Sequence, residues 1–121
     1  MKNTESAEMY LESILLLCEQ NQTVRAIDVS RHTGYTKPSV SRAMGLLKAS
    51  NHITVDESGY IHLTESGREV AAKILERHRL LTEFLIALGV SAEVADDDAC
   101  RIEHVISDES FAKIKEFLAK Q

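Results

Sequence analysis

The sequence predicts a mainly α-helical protein in two parts: a winged helix-turn-helix with a small β-hairpin wing over residues 1–65, then a helical dimerisation domain over residues 66–121. Three observations predict it. Two short amphipathic segments meet at Gly34 in "VRAIDVSRHTGYTKPSVSRAMGLLKASN". Alternating apolar residues flank a turn in "HITVDESGYIHL". From Ser66 onward, helical periodicity returns with more apolar surface than so short a segment covers by itself.

The 121 residues suit one compact unit or two very small ones. At 44% hydrophobic and 27% charged residues, with one proline, the composition is that of a folded chain. No apolar stretch approaches the roughly 18 to 20 residues that span a bilayer. Met1-Lys2-Asn3-Thr4-Glu5 also lacks the apolar core of a secretion signal, so a cytoplasmic protein with no membrane partner is expected. In that reducing compartment Cys18 and Cys100 are not expected to pair. Cys18 follows Ile14-Leu15-Leu16-Leu17 and reads as a small buried apolar residue. The net charge of −5 conceals an uneven distribution. Residues 25–48 hold Arg25, Arg31, Lys37, Arg42 and Lys48 against Asp28 alone, a local +4 that leaves −9 on the rest.

In the first helix, from about Thr4 to Gln20, Tyr10, Ile14 and Leu17 with Leu11, Leu15 and Cys18 define a broad apolar face. Met9 and Glu12 fall side by side on its flank. Ala26, Ile27 and Val29 mark a second, short helix stopped by Gly34. After a turn through Tyr35 and Thr36, Pro38 lies in the first turn of a third helix, where a missing N–H is harmless. Val40, Ala43, Met44 and Leu47 then face inward, and Ser39, Ser41, Arg42, Gly45 and Lys48 face outward. Two helices joined by a Gly-containing turn, the second carrying small polar and basic residues outward, form the pattern of a DNA reader. The expected contacts are Arg25, Thr36, Lys37, Pro38, Ser39, Ser41, Arg42 and Lys48. Ile53/Val55 and Ile61/Leu63 around Asp56-Glu57-Ser58-Gly59 make the wing.

Ser66-Gly67-Arg68-Glu69 fits a capping box, and a long helix is expected from there to about Leu88, before Gly89. Ile74, Leu75, Leu81, Leu85 and Leu88, with Leu80 and Phe84 beside them, exceed one stripe, which implies a homodimer buried through this region. On a further helix from about Ala92 to Ile106, Ala95, Ala99, Ile102 and Ile106 share one face. Cys100, Glu103, His104 and Asp96 are expected on the opposite side. Thiolate, imidazole and carboxylate are the usual ligands of divalent transition metals. The same spacing also admits a small buried cysteine, and Asp96-Asp97-Asp98 also reads as a solvated face.

"EMYLESILLL", "TKPSVSRAMGLLK", "HLTESGREVA", "RHRLLTEFL" and "DDACRIEHVISDE", in order from Glu8 to Glu109, together resemble the diphtheria toxin repressor family of iron- and manganese-dependent transcriptional repressors. The resemblance implies a primary metal site of Met9, Cys100, Glu103 and His104. All four match the iron-responsive branch, whereas the manganese-responsive branch carries aspartate and glutamate at positions 9 and 100. It therefore favours Fe(II), with Mn(II), Co(II), Ni(II) and Zn(II) also admitted by such a donor set. For an ancillary site the family pattern has glutamate four residues after a histidine. Here Thr82 stands at that spacing from His78, with Glu83 one position off. His78 with Glu12 and Asp96 is the expected set. The C-terminal SH3-like domain of many members has no residues left to form it.

The expectation is a metal-activated, dimeric, non-enzymatic repressor of metal-homeostasis genes that binds double-stranded DNA at a palindromic operator. Without metal, Glu8, Glu12, Asp96 and Glu103 repel one another. Metal would fix the two recognition helices about one DNA turn, about 34 Å, apart. The alternative is a winged-helix regulator sensing an organic ligand or oxidant through Cys100. An enzyme using Cys100 and His104 as nucleophile and base shows no third orienting group in the sequence.

Overall fold

The computed structural model describes residues 4–20 and 23–121. The N-terminal Met1-Lys2-Asn3, part of the segment read above for a secretion signal, lies outside them. Two compact units divide between Ala72 and Lys73.

The first unit follows the predicted order: α1 (Thr4–Gln20), α2 (Ala26–Thr33), α3 (Lys37–Ala49), β1 (Ile53–Val55), β2 (Ile61–Leu63) and the start of α4 (Glu65–Ala87). Gly34 adopts φ +81°, and its N–H closes α2 by donating to Ser30 O, a left-handed cap that glycine adopts without steric penalty. Thr36 caps α3, its Oγ1 accepting from Ser39 N at 3.3 Å, with Pro38 in the first turn. The strands pair antiparallel in the register Ile53↔Leu63, Thr54↔His62 and Val55↔Ile61. Ile61 N also donates to Val24 O at 2.7 Å, so the residue ahead of α2 ties onto the wing. The apolar positions of α1, α2 and α3 converge with the wing on Leu11, Ile14, Val24, Val29, Val40 and Ile53, all essentially inaccessible. Burying each such side chain stabilises by about 1.5–3 kcal/mol. Cys18 is only half-buried. Burial pushes its thiol up, Arg68 opposes that, and Glu19 adds to it.

The start of α4 differs from expectation. The helix begins at Glu65, and Thr64 is its cap, with Oγ1 accepting from Gly67 N at 3.1 Å. Ser66, expected to cap, instead donates its hydroxyl to Asn51 O at 3.2 Å. The reason is tertiary: Thr64 N donates to His52 O at 3.0 Å, which starts the helix against the segment leading into β1.

The second unit comprises the rest of α4, α5 (Ala92–Ile102) and α6 (Asp108–Ala119). Gly89, at φ +109°, turns the chain after α4. Ser91 and Ser107 cap α5 and α6 by accepting from Val94 N and Ser110 N. Leu81, Ala99 and Phe111 form the core, with Leu80, Ile102, Ile106 and Ile114 packed against it. Phe84 and Phe117 meet edge to face at 5.9 Å. The helix expected to reach Ile106 stops at Ile102. Glu103 is its cap residue, and Val105 N and Ile106 N both turn back to Ile102 O. Among the described residues no helix is long and apolar enough to cross a membrane.

Candidate metal centre and nucleic-acid interface

The residues expected to read DNA lie on one element and its flanks. Along α3, Val40, Met44 and Leu47 are buried, whereas Lys37, Pro38, Ser39, Ser41, Arg42, Gly45 and Lys48 are exposed, as is the cap Thr36. No acidic residue occurs between Lys37 and Ala49. Cations and hydroxyls are therefore presented beside a helix N-terminus, whose orphan N–H groups carry partial positive charge. Arg25, exposed ahead of α2, stacks its guanidinium 4.6 Å from the Tyr60 ring centroid, joining the entry to α2 with the wing. Asp56 organises the wing tip by accepting from Ser58 N at 2.9 Å, Tyr60 N at 3.0 Å and His62 Nε2 at 3.0 Å. These contacts hold its carboxyl below the ordinary range: the His62 hydrogen bond first, then the Tyr60 amide, with desolvation opposing them and the Ser58 amide adding a smaller share. Leu46, 57% exposed on the same outer side of α3, was not singled out from sequence.

Within the second unit, the structure brings His78, Asp96, Glu103 and His104 into one cluster. His78 Nδ1 lies 2.8 Å from Glu103 Oε1, and its Nε2 lies 2.8 Å from Asp96 Oδ1. His104 Nε2 is 3.3 Å from Glu103 Oε2. Glu103 is fully buried, and it caps α5 where the helix was expected to continue to Ile106. Because α5 ends at Ile102, the chain turns and carries the carboxylate inward, against His78 on α4. Cys100 remains exposed on α5, away from Ala95 and Ala99, whose buried small side chains mark the inner face.

The electrostatics depart from simple repulsion. Asp96 and Glu103, expected to repel one another, are linked through one imidazole. Glu103 Oε2 accepts no hydrogen bond among the described residues, although it is buried. A buried acceptor without a donor is destabilising unless something else supplies positive charge. The side chains beside it are imidazole and carboxylate, donor types that fit a divalent transition metal at this orphaned oxygen.

Met9 and Glu12 belong to the first unit. Both are half-buried on α1, four and eight residues along from Glu5 and Thr4 respectively, and Ser13 Oγ reaches Met9 Sδ at 3.8 Å. Glu83 is exposed on α4, while Thr82 turns its hydroxyl onto His78 O at 2.7 Å.

Arg77 was missed from sequence. It is buried on α4 and binds the backbone after α5: Nη1 donates to Glu103 O at 3.1 Å and Ile106 O at 2.9 Å, and Nη2 pairs with the Asp108 carboxylate. The available signal was its spacing from Ile74 and Leu81, which puts a charge on the apolar stripe of α4.

Comparison with known proteins accords with this arrangement. Residues 64–120 match the sequence profile described as "Iron dependent repressor, metal binding and dimerisation domain". An uncharacterised HTH-type transcriptional regulator of Methanocaldococcus jannaschii is 31% identical over 119 residues, which cover 97% of this chain and 95% of that protein. The transcriptional regulator MntR of Escherichia coli is 30% identical, over 96% of this chain and 75% of its own length. A solved manganese-dependent transcriptional repressor in complex with manganese superposes with a TM-score of 0.86 at 30% identity, over 93% of this chain and 52% of that one. This chain thus spans about half the length of that structure's chain. A winged helix-turn-helix, a second unit matched as metal-binding and dimerising, and relatives that are transcriptional regulators lead to one conclusion: the chain belongs to the diphtheria toxin repressor family of metal-dependent transcriptional repressors.

Proposed function

We propose that this chain is a metal-activated, dimeric repressor that binds a palindromic operator and controls metal-homeostasis genes, with Fe(II) as the favoured activator. The observation that carries the reading is the buried, donorless Glu103 Oε2 beside His104 Nε2. The proposed primary ligands are Met9, Cys100, Glu103 and His104, with His78, Glu12 and Asp96 as the ancillary set. When bound, the metal supplies fixed positive charge to these acceptors. Thioether and thiolate donors at positions 9 and 100 favour Fe(II), Co(II), Ni(II) and Zn(II) over the harder Mn(II). Arg42 is assigned to base edges, Lys37 and Lys48 to phosphates, and Arg25, Thr36, Pro38, Ser39 and Ser41 to supporting contacts on the same surface. Ile86, Leu88, Val94 and Phe117 remain 46–63% exposed in the single chain and are the proposed dimer surface. Since that apolar surface does not depend on metal, sedimentation should find a dimer both with and without it. A stable micromolar apo monomer would contradict this assignment.

The test is an anaerobic gel shift on the DNA upstream of the protein's own gene, with and without Fe(II). Retardation should require the metal, and His104→Ala should lose activation by every metal while remaining a folded dimer. Full activation of His104→Ala would remove the assigned centre. The exposed Cys100 carries the second reading, an oxidant sensor. Peroxide-dependent and metal-independent retardation, abolished in Cys100→Ser, would favour it instead.

A further inference from the structure

We propose that Arg77 is the positioning residue of the metal centre: its guanidinium fixes the turn Glu103–Ile106, and with it the placement of Glu103 and His104. The inference rests on the reading of those two side chains as ligands. The last carbonyls of a helix have no donor within the helix and must find one elsewhere. Glu103 N donates to Ala99 O, Val105 N and Ile106 N return to Ile102 O, and the carbonyls of Glu103 and Ile106 are taken by Arg77. A single Nη1 therefore holds both ends of the turn that contains His104.

The guanidinium is itself held on its other sides. Its Nη2 pairs with Asp108, whose carboxylate also lies 3.4 Å from Lys73 Nζ, and its Cζ is 5.6 Å from the Phe111 ring centroid. Arg77 and His78 are consecutive on α4, so one turn of that helix grips both the backbone of Glu103 and its carboxylate. Fold stability alone is a poor account of the arrangement, because Arg77 Nε is buried without an acceptor. Replacing a buried charge by an apolar side chain of similar volume is often neutral or stabilising. What the apolar side chain cannot do is hold two carbonyls at fixed positions. That is a planar, always-charged fork's property.

The test is anaerobic Co(II) titration of the full chain, read by its visible and thiolate-to-metal absorption, alongside the denaturation midpoint of the apo protein. Arg77→Met keeps the stem and removes every donor. It should raise the Co(II) Kd by about 10- to 100-fold, the usual consequence of losing a group that orients metal ligands. Arg77→Lys, with one compact ammonium, should fall between. Asp108→Asn loosens the anchor of the guanidinium and should show a smaller loss. Leu81→Ala lowers stability in the same unit while leaving every hydrogen bond of Arg77 its donor and acceptor, and its Co(II) Kd should rise far less than that of Arg77→Met. Equal weakening in Leu81→Ala and Arg77→Met would overturn the proposal, because the effect would then be general softening. If Arg77→Met does not fold, native Co(II) affinity in both Arg77→Lys and Asp108→Asn overturns it. His104→Ala separates this failure from that of the underlying reading. Native Co(II) binding by His104→Ala refutes the metal centre itself, whereas its loss beside normal binding in the Arg77 variants refutes only the positioning role.

Discussion

Gly67→Ala should destabilise the protein, although it places the best helix former inside a helix. An alanine Cβ at position 67 would press into His52 O and sit 3.0 Å from His52 C and 3.3 Å from its Cα. Ordinary carbon–carbon contact is about 3.5–4.0 Å, so one backbone must give. The His52 segment is poorly able to do so. His52 N donates to Leu47 O at 2.9 Å, Thr64 N donates to His52 O at 3.0 Å, and Thr64 Oγ1 donates to Asn51 O at 2.7 Å. Overpacking of this kind costs about 1–3 kcal/mol, and a backbone-on-backbone clash belongs at the upper end. Helix propensity returns about 1 kcal/mol. The net is about 2 kcal/mol of destabilisation, or a fall in Tm of about 8–16 °C for a domain of this size. Gly45 is the internal control. It is exposed in the middle of α3, and a Cβ there meets nothing within 4 Å. Gly45→Ala should therefore stabilise by about 0.5–1 kcal/mol. Thermal and urea unfolding of both variants at equal concentration decides the matter. An unchanged or raised Tm in Gly67→Ala would refute the packing of α4 against the approach to β1.

Four further outcomes are expected. Met9→Asp/Cys100→Glu, which exchanges sulfur for oxygen donors, should move metal-activated operator binding toward Mn(II), and an unchanged preference in anaerobic Fe(II) and Mn(II) titrations would disprove the assignment of those positions. Arg42→Ala should flatten discrimination among operator variants by about 1–3 kcal/mol. Lys48→Ala should lower all affinities alike and reduce the salt slope by about 1. Undiminished discrimination would remove Arg42 from the readout. The Asp56 carboxyl is held low by His62 and the Tyr60 and Ser58 amides, so its contribution to the wing is present above the unfolded pKa of about 3.9 and lost as pH falls through the lower folded value. The Ser58 and Tyr60 amide signals should therefore titrate with a midpoint below about pH 3.9, and a midpoint at or above it would refute the hydrogen-bonded turn.

The extents of α1 and both strands, the glycine stop of α2 and the outward face of α3 were all legible in the sequence. Each follows from short-range constraints: a 3.6- or 2-residue period, a left-handed glycine, a proline in a first turn. The potential donor groups around Cys100 were visible too, because donor chemistry is written in residue identity. Their disposition was not. Periodicity extended α5 to Ile106, but the helix stops at Ile102, and Arg77, 26 and 29 residues earlier, takes the carbonyls of Glu103 and Ile106. In the same way, Ser66 looked like a cap until His52 and Asn51 supplied partners that make Thr64 the better one. A periodic pattern says which face of an element is buried, and it says nothing of which distant polar group waits there. Buried hydrogen bonds and charges must be satisfied by whatever the fold brings within about 3 Å, so where they compete with a local pattern, the tertiary partner decides.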